Sequence, residues 1–234
     1  MLAGVVLLAG VVTSAVVVGS APVHDFASDA PVVSSLLLTT QDVPGAIVVG
    51  HQVYRPSQVA ANPSLFPTAA VLHADRACAL LEGPTSLRDI TALGVNGYAA
   101  QYELVTESTL YADAGPVEAD RAALGSRDLL PCVQRLLVML LRANGLKGTA
   151  VPRLVSLDEH LGDVYALALS AYWQVTSPDP TAQFATDSLE FVVLLHARAE
   201  VVILAQNDEG PLPQALIDRV AGRLAGKLEA QFPG

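Results

Sequence analysis

Residues 188–206, "SLEFVVLLHARAEVVILAQ", set two apolar, β-branched runs on either side of the short segment "HARAE". Runs of this length and composition suit strands, and so short a link joins only neighbours that run antiparallel. The chain is therefore committed to an antiparallel sheet before any other element is considered. Residues 164–175, "VYALALSAYWQV", add a third strand through an alternation of period two. Tyr165, Leu167, Leu169, Ala171, Trp173 and Val175 share one bulky face, whereas Ala166, Ala168, Ser170, Tyr172 and Gln174 share the other. The bulky face is expected in the core. The small-residue face is expected to lie against a helix or to line a groove. In "GVNGYAAQYELVTESTLYADAG", residues 94–115, Tyr98, Ala100, Tyr102 and Leu104 fall opposite Gln101, Glu103 and Glu107, which reads as one half-buried strand.

Other segments fill in the plan. "AIVVGHQVY", residues 46–54, is β-branched and strand-like, preceded by a short turn at "TTQDVPG" that Thr39 or Thr40 could cap. A Pro- and Ser-rich loop, "RPSQVAANPSLFP", leads to a helical stretch around Cys78. "VEADRAALGSRDLLPCVQRLL" reads as helix, interrupted or ended near Pro131. "LLVMLLRANGLKGTAVPRLV" reads as two strands about a turn at Asn144-Gly145. The closing "LPQALIDRVAGRLAGKLEAQF" spaces Leu216, Val220, Leu224 and Leu228 four apart, an amphipathic helix that must pack on something. Strands follow strands, with helices between the groups. The expected fold class is thus α+β, a single domain over residues 36–234 with an antiparallel sheet, helices packed on one face and one disulfide.

The N-terminal stretch, "MLAGVVLLAGVVTSAVVVGSAPVHD", has no charged side chain before Asp25. Residues 1–20 are expected to be a signal peptide or membrane anchor, with small residues at Val18-Gly19-Ser20 suited to cleavage before Ala21. Residues 21–35, "APVHDFASDAPVVSS", are expected to form a flexible tether. Export bears on the two cysteines, because two thiols in an oxidising compartment usually pair. A bridge between Cys78 and Cys132 would close a long loop, worth ~4 kcal/mol in the chain-entropy picture. The alternative is two unrelated buried thiols.

Charge excludes some classes of partner. The 234 residues carry 23 acidic and 13 basic side chains, a net charge of −10, with no Lys/Arg cluster. Nucleic acid and anionic lipid surfaces are disfavoured, so membrane contact is expected only through the N-terminal segment. No Gly-x-Ser-x-Gly elbow, phosphate-cradling glycine loop or His-Glu-x-x-His motif occurs, and His24, His51, His73, His160 and His196 have no second histidine at ligand spacing. No catalytic residue, metal ligand or cofactor is assigned. The densest polar cluster, Asp158, Glu159, His160 and Asp163 in "LDEHLGD", reads as a solvated loop. The better candidate site is a groove floored by Ala166, Ala168 and Ser170 with Tyr172 beside them, where small side chains leave room for an apolar ligand.

The order "LLLTTQDVPGA", "ADRACALL", "AQYELVTESTLYADAG", "LLPCVQRL" and "LGDVYALAL", followed by a hairpin and an amphipathic helix, spans roughly residues 35–232. It resembles the actinobacterial envelope proteins related to the extracellular sensor domain of PknH-type receptor kinases, many of which are stand-alone lipoproteins. The resemblance implies an exported, non-enzymatic domain with a sheet backed by helices, a disulfide tying two helices at Cys78 and Cys132, and a cleft for an unidentified ligand. The chain departs from the relatives in lacking a cysteine at the cleavage site for lipid attachment, and it has fewer cysteines than the kinase sensor. The expected function is a non-catalytic envelope protein that senses or binds a ligand. The alternatives are a structural or protein-interaction module of the envelope, whose partner is an envelope protein, and an enzyme built from dispersed residues.

Overall fold

The computed structural model describes residues 24–61, 89–100, 102–143, 147–157, 161–176, 186–207 and 212–233. In chain order the elements are α1 (Phe26–Leu36), β1 (Ile47–Tyr54), α2 (Pro56–Ala61), β2 (Ile90–Ala99), β3 (Glu103–Tyr111), α3 (Gly115–Leu124), α4 (Leu129–Ala143), β4 (Lys147–Val155), β5 (Tyr165–Thr176), β6 (Thr186–His196), β7 (Ala199–Asn207) and α5 (Gln214–Gln231). The strands form one seven-stranded sheet, ordered β1-β2-β3-β7-β6-β5-β4, and each neighbouring pair is antiparallel. Two meanders, β1–β3 and β4–β7, therefore meet at the β3/β7 ladder in the middle. The helices α3 and α4 carry the chain from the centre of the sheet to its far edge.

Alternation along the strands sends side chains to both faces, and each face has its own core. Val192, Leu194, Val201 and Ile203 pack with Val33 and Leu36 of α1 and with Leu216, Val220, Leu224 and Leu228 of α5. Their neighbours Val193 and Leu195 point the other way and pack with Val59 of α2 and Val117 of α3. Leu137 of α4 packs with Ala150 and Ala171. The expectation of helices on one face is thus corrected. Both strands of the last hairpin are apolar at odd and even positions alike, which requires a cover on each side.

The closing hairpin and the closing helix lie where the sequence places them. The hairpin turns at Ala197-Arg198, and the four leucine and valine residues spaced along α5 are all buried. Four expectations are corrected. Residues 26–35 are not tether but helix α1, nucleated by a capping box in which Asp25 accepts from the Ser28 amide and Ser28 accepts from the Asp25 amide. Residues 94–111 are not one strand but the end of β2 and all of β3, turned at residues 100–102, with the Ala100 N–H donating to the Tyr102 carbonyl. Tyr98 and Leu104 still share a face because they are cross-strand partners. Residues 136–143 are helix, not strand, because an unbroken apolar run fits either period and here continues α4. Part of the Pro- and Ser-rich loop, Pro56–Ala61, is the short helix α2.

Cys132 on α4 is 1% exposed and is not a free thiol. Its expected partner, Cys78, lies outside the described residues, as do residues 1–20 and most of the "LDEHLGD" cluster. Among the described residues no helix is long and apolar enough to cross a membrane.

Polar contacts fasten the two helices of one face. Asp29 of α1 is buried, and Arg198 from the β6–β7 turn meets it with two nearly parallel bonds, Nη1 to Oδ2 at 2.8 Å and Nη2 to Oδ1 at 2.6 Å. The Thr91 hydroxyl also donates to Asp29, and Arg198 Nη1 reaches the Tyr111 carbonyl at 2.7 Å. Burial works against ionisation of Asp29, but the bonds from Arg198 and Thr91 outweigh it and hold the carboxyl below its usual range. Lys227 of α5 donates to the Leu37 carbonyl at 2.6 Å and to Asp42 at 3.1 Å, joining α5 to the segment that follows α1.

Candidate functional site

The small-residue face of β5 leads to an open cavity of about 490 Å³ at one end of the sheet. The end of β4 with residues 156 and 157, and residues 161–164 with the start of β5, border it, and Leu154, Val155, Leu157, Leu161, Ala166 and Ala168 are among its lining residues. Volume arises there because Ala166 and Ala168 stop at Cβ where neighbouring strands carry valine and leucine. Residues 156 and 163 on either side of the cavity are both held by α5. Gln214 donates to the Ser156 carbonyl at 3.2 Å, and Glu229 accepts from the Asp163 amide at 3.2 Å. Gly162 takes a positive φ of 60°, and the Glu229 carboxylate occupies the space a Cβ would need, so both backbone and neighbour require glycine.

The four expected cleft residues divide into two groups. Ala166 and Ala168 line the cavity, although Ala168 is also packed into the core beside α5. Ser170 and Tyr172 lie farther along the same face and do not reach it. Ser170 is 1% exposed and its hydroxyl donates to Glu190 Oε1 at 3.0 Å. Tyr172 is half-buried under Arg153, whose Nη2 donates to the phenol oxygen at 3.2 Å while the guanidinium carbon lies 5.1 Å from the ring centroid. Burial pushes the Glu190 carboxyl up, and the Ser170 bond and the charge of Arg153 pull against that rise. The result is an open pocket of mixed apolar side chains and polar backbone with a hydrogen-bonded polar group next to it along the same face of β5. Such a surface can accommodate an apolar molecule. It presents no activated nucleophile.

A second polar group lies on the opposite face, between α3 and the sheet. Tyr111 donates to Glu200 Oε2 at 2.8 Å, and Asp120 of α3 is hydrogen-bonded to the same carboxyl. Burial raises both carboxyls, Glu200 the further because Asp120 and Glu107 add repulsion. Burial alone lifts Glu107 to about 7. Burial and proximity together disfavour ionisation of the Asp120 and Glu200 carboxyls at once. Among the described residues no three His, Cys, Asp or Glu side chains converge to hold a metal ion.

Sequence reasoning missed both the Glu229 brace and the carboxyl group at Glu200. A signal existed for the second. Glu107, Glu190 and Glu200 each sit between apolar or hydroxyl-bearing neighbours inside a strand, where a carboxylate taken out of water needs a partner.

Fold and site together define an α+β domain whose single antiparallel sheet carries helices on both faces and a pocket at one end. No protein-family model matches the chain, and no curated protein does. Among solved structures it is similar to the extracellular domain of PknH from Mycobacterium tuberculosis, at 9% identity and a TM-score of 0.43, covering 85% of this chain and 93% of that one. It is also similar to an uncharacterised protein of Mycobacterium smegmatis, the Rv0999 ortholog, at 11% identity and a TM-score of 0.43, covering 88% and 98%. Both are likenesses of fold, and they say nothing of a ligand.

Proposed function

We propose that the chain is an exported, non-catalytic cell-envelope domain that binds a small apolar ligand in the cavity between the end of β4, residues 161–164 and the start of β5. The observation that carries this reading is the cavity itself, whose volume of about 490 Å³ falls within the ~300–1,000 Å³ of ordinary ligand pockets. Export is supported by the uncharged, apolar first 20 residues and by a Cys132 that is not a free thiol. The chain has only one other cysteine, so we infer a Cys78–Cys132 bridge that braces α4.

The test is native mass spectrometry of the full chain purified from the envelope fraction, beside an Ala166→Phe variant that fills the cavity. An apolar molecule carried by the wild type and lost from the variant is the expected result. An empty wild type that also fails to bind a fluorescent apolar probe would sink the reading. Thiol labelling tests the bridge separately, with two labels expected only after reduction.

The second reading, an interaction module of the envelope, is favoured by an exposed apolar sheet edge at β1.

A further inference from the structure

Helix α3 rests on the sheet through little apolar surface. Pro116, Val117 and Ala123 are its buried residues, and Val117 packs with Val193 and Leu195 of β6, with Leu124 at the margin of that cluster. A ten-residue helix is marginal in water by itself, so docking is what keeps α3 folded. The rest of its contact is polar. Facing Asp120 and Arg121 of α3 are Glu107 and Tyr111 of β3, Glu200 of β7 and Tyr165 of β5. The cations of this region are engaged with other groups. The Arg121 guanidinium lies 5.4 Å from the centre of the Tyr165 ring, and Arg198 of the β6–β7 turn is bonded to Asp29 on the opposite face. Asp120 and Glu200 therefore meet carboxyl to carboxyl, with Tyr111 donating to Glu200 and Glu107 close enough to repel it.

We propose that the Asp120–Glu200 contact is a proton-dependent clasp, holding α3 on the sheet while one carboxyl is protonated and releasing the helix once both are ionised. The chemistry of the pair dictates the direction. An ionised carboxylate has acceptors only, so a bond between two carboxyls needs a proton on one of them. Without that proton the same contact sets two half-buried negative charges against each other, and Glu107 adds a third. Burial lifts Asp120 to about 6 and Glu200 to about 8, whereas a carboxyl freed into water returns to the ordinary ~4. The docked helix thus holds a proton that the released helix gives up. Docking is complete below the ordinary value, is lost as pH rises through the raised ones, and weakens roughly tenfold per pH unit for one linked proton. The construction of the fold confines the response to α3. This clasp joins the sheet to α3, while α1 and α5 are fastened on the other face by Arg198 and Lys227. An element with few buried apolar contacts opens at lower cost than the fold as a whole.

Hydrogen exchange of the full chain, read by mass spectrometry over residues 115–124, measures the opening. Protection factors in α3, which already allow for the pH dependence of the exchange chemistry, should fall roughly tenfold between pH 6 and 7. At pH 7 they should also lie at least about tenfold below those of the β6–β7 hairpin, the mark of a local opening. Glu200→Gln gives Asp120 an N–H donor at any pH and keeps an acceptor for Tyr111, and Asp120→Asn supplies the donor from the helix side. Each should flatten the fall to about threefold or less, since the bond no longer needs a proton. Asp120→Ala should leave α3 weakly protected at both pH values. Wild-type protection in α3 that does not change with pH refutes the clasp, and so does a full wild-type slope in either amide variant. Protection in α3 equal to that of the hairpin at pH 7 refutes it too, because the opening is then that of the whole fold.

Discussion

Replacing Asp29 by alanine tests whether a buried ion pair, rather than apolar packing alone, fixes α1 to the sheet. The pair is almost fully out of water, with the side chains of Asp29 and Arg198 2% and 12% exposed. Asp29→Ala removes the acceptor of two bonds from Arg198 and one from Thr91, and it leaves the guanidinium with the Tyr111 carbonyl and the face of Phe232, 5.7 Å from its centroid. Breaking a buried pair from one side costs ~3–5 kcal/mol. Arg198 keeps a little exposure and can recover some hydration, which places the expected loss near the lower end, about 3 kcal/mol. Asp29→Asn keeps the shape and an acceptor for Thr91, so about 2 kcal/mol is expected. Urea unfolding followed by circular dichroism measures both. With a slope of ~2 kcal/mol per molar, the alanine variant's midpoint should fall by about 1.5 M. The double variant Asp29→Ala/Arg198→Met should lose less than the sum of the two single changes, because it no longer strands a charge. A loss below about 1 kcal/mol in Asp29→Ala, or strict additivity in the cycle, would refute the claim that this pair positions α1.

Three further outcomes are expected. Stability should decline as pH rises from 5 to 9, because Glu107, Asp120 and Glu200 are raised to about 7, 6 and 8 and the folded chain holds protons that the unfolded chain releases. Their contribution is complete below the unfolded carboxyl value of ~4.3 and lost through the folded values, so urea midpoints should fall over that range and fall less in Glu200→Gln. Asp29 and Asp42 act in the opposite sense, being lowered by their partners despite burial, so a second decline is expected as pH drops below ~3.9. Gly94→Ala should cost ~1–3 kcal/mol in the same assay, because the new methyl would run into Val33 and press on Leu37 at 3.1 Å, overpacking the contact with α1. Thr106→Val should be neutral or stabilising by up to ~1 kcal/mol, since the Thr106 hydroxyl is fully buried with no partner among the described residues; a loss above about 1 kcal/mol would show that the hydroxyl is satisfied in solution.

How much of this was legible in the residues depends on whether each element's signal was local. β5, the β6–β7 hairpin and α5 were read correctly because each carries its own period, and tertiary packing reinforces that period rather than competing with it. The errors fall where local pattern is silent or ambiguous. The β2–β3 turn at residues 100–102 contains no glycine, proline, asparagine or aspartate, so the alternation passed through it unmarked; the parity of Tyr98 and Leu104 survived only because the reversal leaves them as cross-strand partners. Helix α1 has a composition that suits a linker, including Pro31, and it is a helix largely because Asp29 finds Arg198 far along the chain and Val33 and Leu36 find the sheet. The same distinction governs the site. Small residues at 166 and 168 can be seen from alternation, so the pocket floor was foreseeable. That Ser170 would turn to Glu190 and Tyr172 to Arg153 depends on pairing across three strands. A strand's own sequence states which way its side chains point, whereas what meets them is decided by its neighbours in the sheet. The pocket therefore lies at the start of β5, where Ala166 has passed the last β4 partner, Val155 opposite Ala168.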